Sequence, residues 1–423
     1  MTQIKLPAGW TFAALIAGLL LGWALAGGPA EATAAAIAGP VGTVWLRALQ
    51  MTIVPLVAAL LVTGVAQMMA TARAGPVARR TLLMFFAVLL VGTIVAAFAT
   101  PALLEIFPIP GRAAAALAAE STAPQQVPGL GAFVESLVSD NVIAAAAQTA
   151  MLPLVVFFVA LAVAITRLPE PQRNLMVALF EALGNAMLTI IGWVLWLAPA
   201  GVFALAVTVG LASGGGAFAA LAHYILLVAG LGLVVMIAGY GLAVFGARIG
   251  PVRFARAMLP SQAVAISTQS SLASLPAMLQ SCRLLGVRET TADFVLPLAV
   301  ALFRATGPVM NLAVAIYVAK LTGVELTAAT IAAGVAVALL TTIASVSLPG
   351  AISFVTAIGP IALAMGVPVE PLALLVAVEM LPDIMRTLGN VTLDVAVAAT
   401  VDRNTDSSAD ARIPVATPPP SAR

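Results

Sequence analysis

Apolar runs long enough to cross a bilayer, with polar residues gathered between them, set the pattern of this chain. They cover about residues 10–26, 43–70, 81–103, 148–166, 176–210, 217–247, 292–321 and 370–400. Each reaches the roughly 17–25 residues with which an α-helix traverses about 30 Å of hydrocarbon. Eight crossings are predicted. The first run follows a short N-terminus bearing Lys5 and reads as a span, not a cleaved leader, because membrane helices continue directly after it.

Basic residues near the span ends set the orientation. Assigned to alternate sides, the loops place Lys5, Arg73, Arg79, Arg80, Arg167, Arg173, Arg248, Arg253, Arg256, Arg283, Arg288 and Arg403 on one side. The other side collects Arg47, Arg112 and Lys320 with Glu31, Glu105, Glu120, Glu135 and Asp140. The first side is predicted to be cytoplasmic and to hold both termini.

Residues 258–290 and 326–368 fit this scheme only if each enters and leaves by the same side. The first contains Ser267-Thr268-Gln269-Ser270-Ser271 and the second Ser345-Val346-Ser347-Leu348-Pro349-Gly350. Both read as re-entrant helical hairpins, whose backbone polar groups are tolerated at membrane depth only against protein or a water-filled cavity. Broken segments in corresponding places on opposite sides point to an inverted-repeat transporter with a midplane site. The alternative, ordinary spans with polar kinks, would reverse the charge bias of neighbouring loops. Residues 110–147 read as a long external loop with short helical pieces. The tail, residues 401–423, is predicted to be disordered from its Asp, Ser, Ala and Pro content.

Composition agrees: 62% of residues are hydrophobic and 9% charged, against about 25% charged in soluble domains. A net charge of +2 offers no basic face for nucleic acid. His223 and Cys282 are the single histidine and cysteine, which argues against disulfide frameworks, zinc sites, hydrolytic triads and enzymatic function generally. No organic cofactor is expected. His223 reads as a hydrogen-bonded interior or interface residue rather than a proton relay. The glycines of 18–27 and 210–216 read as close helix packing or loops.

Five ionisable residues do not sit at span ends: Arg304 in the seventh span and Glu379, Asp383, Arg386 and Asp394 in the eighth. An ionisable group in the bilayer interior costs at least about 2.5–3.5 kcal/mol, so each should face a cavity or a partner. Glu379, Asp383, Arg386 and Asn390 fall at i, i+4, i+7 and i+11, one helical stripe, with Asp394 four residues on. The stripe suits a site for a carboxylate and a cation. A salt-bridge seam between Asp383 and Arg386 is the structural alternative.

The segment from Asp383 through Arg386-Thr387-Leu388-Gly389-Asn390 to Asp394 resembles the eighth-helix signature of the dicarboxylate/amino acid:cation symporters, the family of the glutamate transporters. Ser270-Ser271-Leu272-Ala273-Ser274-Leu275-Pro276 is similar to that family's serine-rich first hairpin, and Pro349-Gly350 to its second hairpin tip. Met51-Thr52-Ile53-Val54-Pro55-Leu56 and Ala198-Pro199-Ala200-Gly201 resemble further family segments, so the likeness covers roughly residues 8–400. It implies an all-α membrane protein of eight transmembrane helices plus two hairpins, working as an elevator in a homotrimer. Residues 1–8 would be a cytoplasmic N-terminus and 9–257 mainly scaffold, helices 3 and 6 moving with the transport part. The transport core would span 258–400: hairpin 258–290, helix 292–321, hairpin 326–368 and helix 370–400.

By the same resemblance, Arg386 would hold the substrate's distal carboxylate, which suits a guanidinium fork. Asp383 would take a substrate ammonium, Thr387 and Asn390 would add hydrogen bonds, and Ser270, Ser271, Pro349 and Gly350 would close over the ligand. Asp394 and Asn390 match one sodium site, and Thr342 and Ser345 a second; oxygen donors suit a hard cation. The chain departs from the family at Phe303-Arg304-Ala305-Thr306-Gly307, where Asn-Met-Asp-Gly-Thr is usual. One sodium site is expected to be lost. Arg304 reads either as a tethered cation paired with Asp394 or Asp383, or as a brace on the unwound segment. Glu379 reads either as a proton carrier or as a structural carboxylate. The expectation is symport of a C4-dicarboxylate or acidic amino acid with Na+ at altered stoichiometry, in the cell (inner) membrane; the alternatives are H+ coupling on the same fold or a different amino acid substrate.

Overall fold

The computed structural model describes residues 8–72, 75–110, 135, 137–213, 216–344 and 350–410. Among them all regular structure is helical. Backbone groups inside lipid must be satisfied within their own segment, and apolar runs without alternation meet that demand as helices.

The first half comprises α1 (Ala8–Leu25), α2 (Glu31–Gln50), α3 (Ile53–Ala72), α4 (Pro76–Ile106), α5 (Val142–Ala147), α6 (Met151–Ile165), α7 (Glu170–Trp196), α8 (Ala198–Ser213) and α9 (Gly216–Phe245). The apolar run at 43–70 is thus two helices, joined where Thr52 Oγ1 donates to Leu49 O at 2.8 Å. Pro55, in the first turn of α3, has no N–H to continue the ladder. The 176–210 run likewise divides before Pro199, at the second position of α8. Close packing of α1 on α8 rests on glycine, as the spacing predicts: a Cβ on Gly18 would lie 2.6 Å from Phe203 O, and one on Gly210 2.6 Å from Leu19 O.

The second half comprises α10 (Pro251–Thr268), α11 (Leu275–Leu285), α12 (Glu289–Leu302), α13 (Thr306–Thr322), α14 (Ala328–Ala344), α15 (Gly350–Ala364), α16 (Leu372–Leu375) and α17 (Met380–Asp410). Helices α10 and α11 pack together around the turn 269–274, and α14 packs on α15. The first pair overlaps residues 258–290, starting earlier at Pro251, and the second falls within 326–368; residues 345–349 between α14 and α15 lie outside the described residues. Six helical stretches are long and apolar enough to cross a membrane: 31–72, 77–106, 170–196, 216–245, 289–322 and 380–403. Shorter apolar helices cover 9–25, 151–165, 198–212 and 328–343.

Two corrections concern the last span. It is not one helix from 370: α16 ends at Leu375, residues 376–379 form turns, and α17 starts at Met380, two residues before Pro382. Residues 401–410 are helical rather than disordered. Asp402, 7% exposed, anchors them, accepting from Arg288 Nε at 2.8 Å and Thr291 Oγ1 at 2.7 Å.

The apolar interior falls into two large clusters. One joins α1–α3, α6–α9, α13 and the α14–α16 region. The other joins α10–α13 and α17 with Phe85 and Leu89 of α4 and Leu231 and Val235 of α9.

Candidate functional site

The helix pair α12–α13 is interrupted where the sequence motif departs from the resemblance. Helix α12 stops at Leu302 and α13 starts at Thr306, and Arg304 between them adopts a left-handed φ of 31°. Two glycines let other elements approach this break. A Cβ on Gly389 of α17 would collide with Thr306 Cγ2, and one on Gly307 would lie 3.1 Å from Thr342 Oγ1. Thr342 therefore packs directly on the interruption.

Beside the break, α17 presents the predicted ladder. Arg386, 4% exposed, donates from Nη2 to Glu379 Oε1 at 2.7 Å and from Nη1 to Asn311 Oδ1 at 2.8 Å. Its Nε lies 3.4 Å from Asp383 Oδ1. Glu379 sits in the turn preceding α17 and also accepts from Tyr224 Oη at 3.3 Å. Burial of these charges is tolerable because each has a partner.

Asn390 Oδ1 accepts from Thr306 N at 2.9 Å and Thr306 Oγ1 at 2.8 Å, which fastens the start of α13 to α17. Thr387 Oγ1 donates to Asp383 O at 2.9 Å, one turn back. Arg304 is partly buried and lies within electrostatic reach of Arg386 and of Asp383, one of its two expected carboxylate partners. Asp394 is 1% exposed, and its Oδ1 has no hydrogen-bond partner among the described residues. An orphaned buried carboxylate oxygen is the kind of donor a hard cation takes.

Glu379, Asp383, Arg386, Thr387 and Asn390 thus come together, with Asn311, Thr306 and Tyr224 completing the cluster. The roles of Tyr224 and Thr306 are missed by the sequence reading; the scarcity of tyrosine, three in the chain, is the one signal for the former. Ser270 and Ser271 lie in the α10–α11 turn, where Ser270 Oγ accepts from Ala273 N at 3.2 Å and Ser270 O accepts from Ser274 Oγ at 2.9 Å. No hydrogen bond among the described residues joins them to Arg386. Gly350 begins α15, while Ser345 and Pro349 lie outside the described residues. A cavity of about 1100 Å³ is lined by residues of α3 and α7 and reaches Leu272 in the α10–α11 turn.

Residues 8–404 match the sodium:dicarboxylate symporter family. The proton/glutamate-aspartate symporter of Escherichia coli (strain K12) is 26% identical over 409 residues, 92% of this chain and 91% of that one. The proton/sodium-glutamate symport protein of Bacillus subtilis (strain 168) is 28% identical over 407 residues, 92% and 90% of the two chains. Neutral amino acid transporter B(0) of Oryctolagus cuniculus is 28% identical over 435 residues, 91% and 77%. With its helices, buried ion cluster and almost complete coverage by that match, this chain is an integral membrane transporter that belongs to the sodium:dicarboxylate symporter family.

Proposed function

We propose that this protein moves an acidic amino acid or C4-dicarboxylate inward with a cation, with Arg386 as the carboxylate anchor. The observation that carries the reading is the buried Arg386 fork, held by Glu379, Asp383 and Asn311. Its edges are those a carboxylate engages in pairs. Among the five ionisable residues of the last two spans, Glu379, Asp383 and Asp394 outnumber Arg304 and Arg386, so fully ionised they carry one net negative charge that a cation would offset. Asp383 would take a substrate ammonium, which favours an amino acid over a simple diacid. The glutamate and aspartate named for two of the relatives agree with that choice.

Asp394, with its unpartnered Oδ1, would ligate Na+, and Thr342 stands at the second predicted position. The expected loss of one sodium site follows from the family's Asn and Asp missing at 303–307, where Arg304 would supply a fixed positive charge beside Asp383. Eight spans, two hairpins and a homotrimer complete the proposal, with residues 258–400 as the moving core. Packing supports the elevator motion: α14 and α15 lean on α3 and α6, and α15 also on α7, whereas the α10–α11 turn faces the cavity.

A second reading, proton coupling, is favoured by one observation. Glu379 and a substrate carboxylate would compete for the same guanidinium, and a displaced Glu379 could cross carrying a proton instead. Uptake of L-aspartate, L-glutamate and succinate into proteoliposomes under imposed Na+ or pH gradients tests both. Uptake driven by Na+ alone removes the proton reading. Absence of uptake of all three under either gradient removes the proposal.

A further inference from the structure

A second series of contacts, hydrogen bonds joined by one ring-to-ring contact, leads from His223 to the same cluster. His223 Nε2 lies 2.9 Å from Phe107 O, and Nδ1 lies 3.3 Å from Tyr317 Oη. Phe107 follows the end of α4 and is 60% exposed, so this end of the series lies at the protein surface. Tyr317 Oη donates to Ala220 O at 3.0 Å. The Tyr317 ring packs edge-on against Tyr224, centroids 5.4 Å apart at 70°. Tyr224 in turn donates to Glu379, which holds Arg386.

The hydrogens decide what this chain can do. A carbonyl only accepts, so Nε2 carries a hydrogen toward Phe107. With the Tyr317 hydrogen on Ala220 O, Nδ1 must donate as well, and the ring is then an imidazolium. In the neutral ring Nδ1 is an acceptor, and Tyr317 satisfies it only by turning its hydroxyl away from Ala220 O. The charge on His223 and the setting of Tyr317 are therefore linked. Tyr317 is 1% and Tyr224 0% exposed, so no bulk water absorbs the change.

We propose that His223 is a pH-sensing positioning residue for the transport site: its protonation, passed through Tyr317 and Tyr224, sets how firmly Glu379 holds Arg386 and hence how readily a substrate carboxylate takes the guanidinium. The inference rests on the reading of Arg386 as carboxylate anchor. The charged and titratable groups facing this chain are Arg386 and Asp383 beside Glu379, Tyr224 from α9 and Tyr317 from α13; α4 contributes the Phe107 carbonyl.

Because His223 is the single histidine, ¹⁵N-histidine labelling yields two ring-nitrogen signals from this residue alone. In nanodiscs at about pH 6.5, Glu379→Gln should lower the charged-to-neutral ratio of the ring roughly two-fold, since coupling between the sites is reciprocal. Tyr317→Phe, which keeps the buried ring, should abolish that response. In proteoliposomes His223→Gln should flatten the dependence of substrate KM on external pH across the histidine range. A ring signal indifferent to Glu379→Gln, or superimposable KM profiles of wild type and His223→Gln, overturns the inference. If the wild type takes up no substrate while the ring signal still answers to Glu379→Gln, the transport reading fails and the linkage stands.

Discussion

Asn390 Oδ1 accepts two hydrogen bonds from Thr306, one from the backbone N–H at 2.9 Å and one from the hydroxyl at 2.8 Å. The same hydroxyl lies 3.0 Å from Arg386 O. One threonine at the head of α13 therefore ties the α12–α13 break to the ionisable stripe of α17. Thr306→Val keeps the shape and the backbone bond but leaves the two buried acceptors without the hydroxyl. A loss of about 1–3 kcal/mol is expected. Thermal unfolding in detergent should show the drop, together with weaker substrate binding, and Thr306→Ser should restore most of both.

Arg386 is bound to two acids and an amide, so its removal leaves charges behind. Arg386→Met should cost about 3–5 kcal/mol, because Glu379 and Asp383 are then buried without their cation. Adding Glu379→Gln should recover part of that stability without recovering uptake. Unfolding midpoints of the single and double variants, set in a double-mutant cycle, give the coupling. Independent, additive effects would separate Glu379 from the anchor.

The helical class and the buried ion stripe were legible in the sequence because uncompensated charge in apolar surroundings has few physical explanations. The α12–α13 break and the two helical pairs were legible from their interrupting residues. Helix ends were not. Pro55, Pro199 and Pro382 divide runs that hydropathy alone reads as continuous, since a missing N–H does not change apolarity. Tyr224 reaches the site from an element distant in sequence, and no local pattern marks such a partner. Composition misjudged residues 401–410, because one buried tertiary bond network at Asp402 outweighs local polarity.

That network makes its own prediction. Asp402 accepts from Arg288 and Thr291, at 2.8 and 2.7 Å, and Thr291 is itself buried. Asp402→Ala should cost about 1–3 kcal/mol by leaving the threonine hydroxyl without its acceptor. The end of α17 should then fray. Limited proteolysis should cut within 403–410 faster than in the wild type, while Asp402→Asn, which still accepts from Thr291, should fall between.

Leu272 tests which face of the core is open. It is 58% exposed in the α10–α11 turn and lines the cavity against α3 and α7, whereas the single cysteine, Cys282, is 0% exposed. The wild type should therefore resist a membrane-impermeant maleimide, and Leu272→Cys should react in inside-out vesicles. Right-side-out vesicles should leave it unlabelled if the first hairpin opens to the cytoplasm. Under the proposed elevator motion, substrate with Na+ should slow labelling, because bound ligand shifts a conformational equilibrium by its differential affinity. Equal labelling from both sides would deny the turn a sidedness, and the hairpin assignment of 258–290 would fall with it.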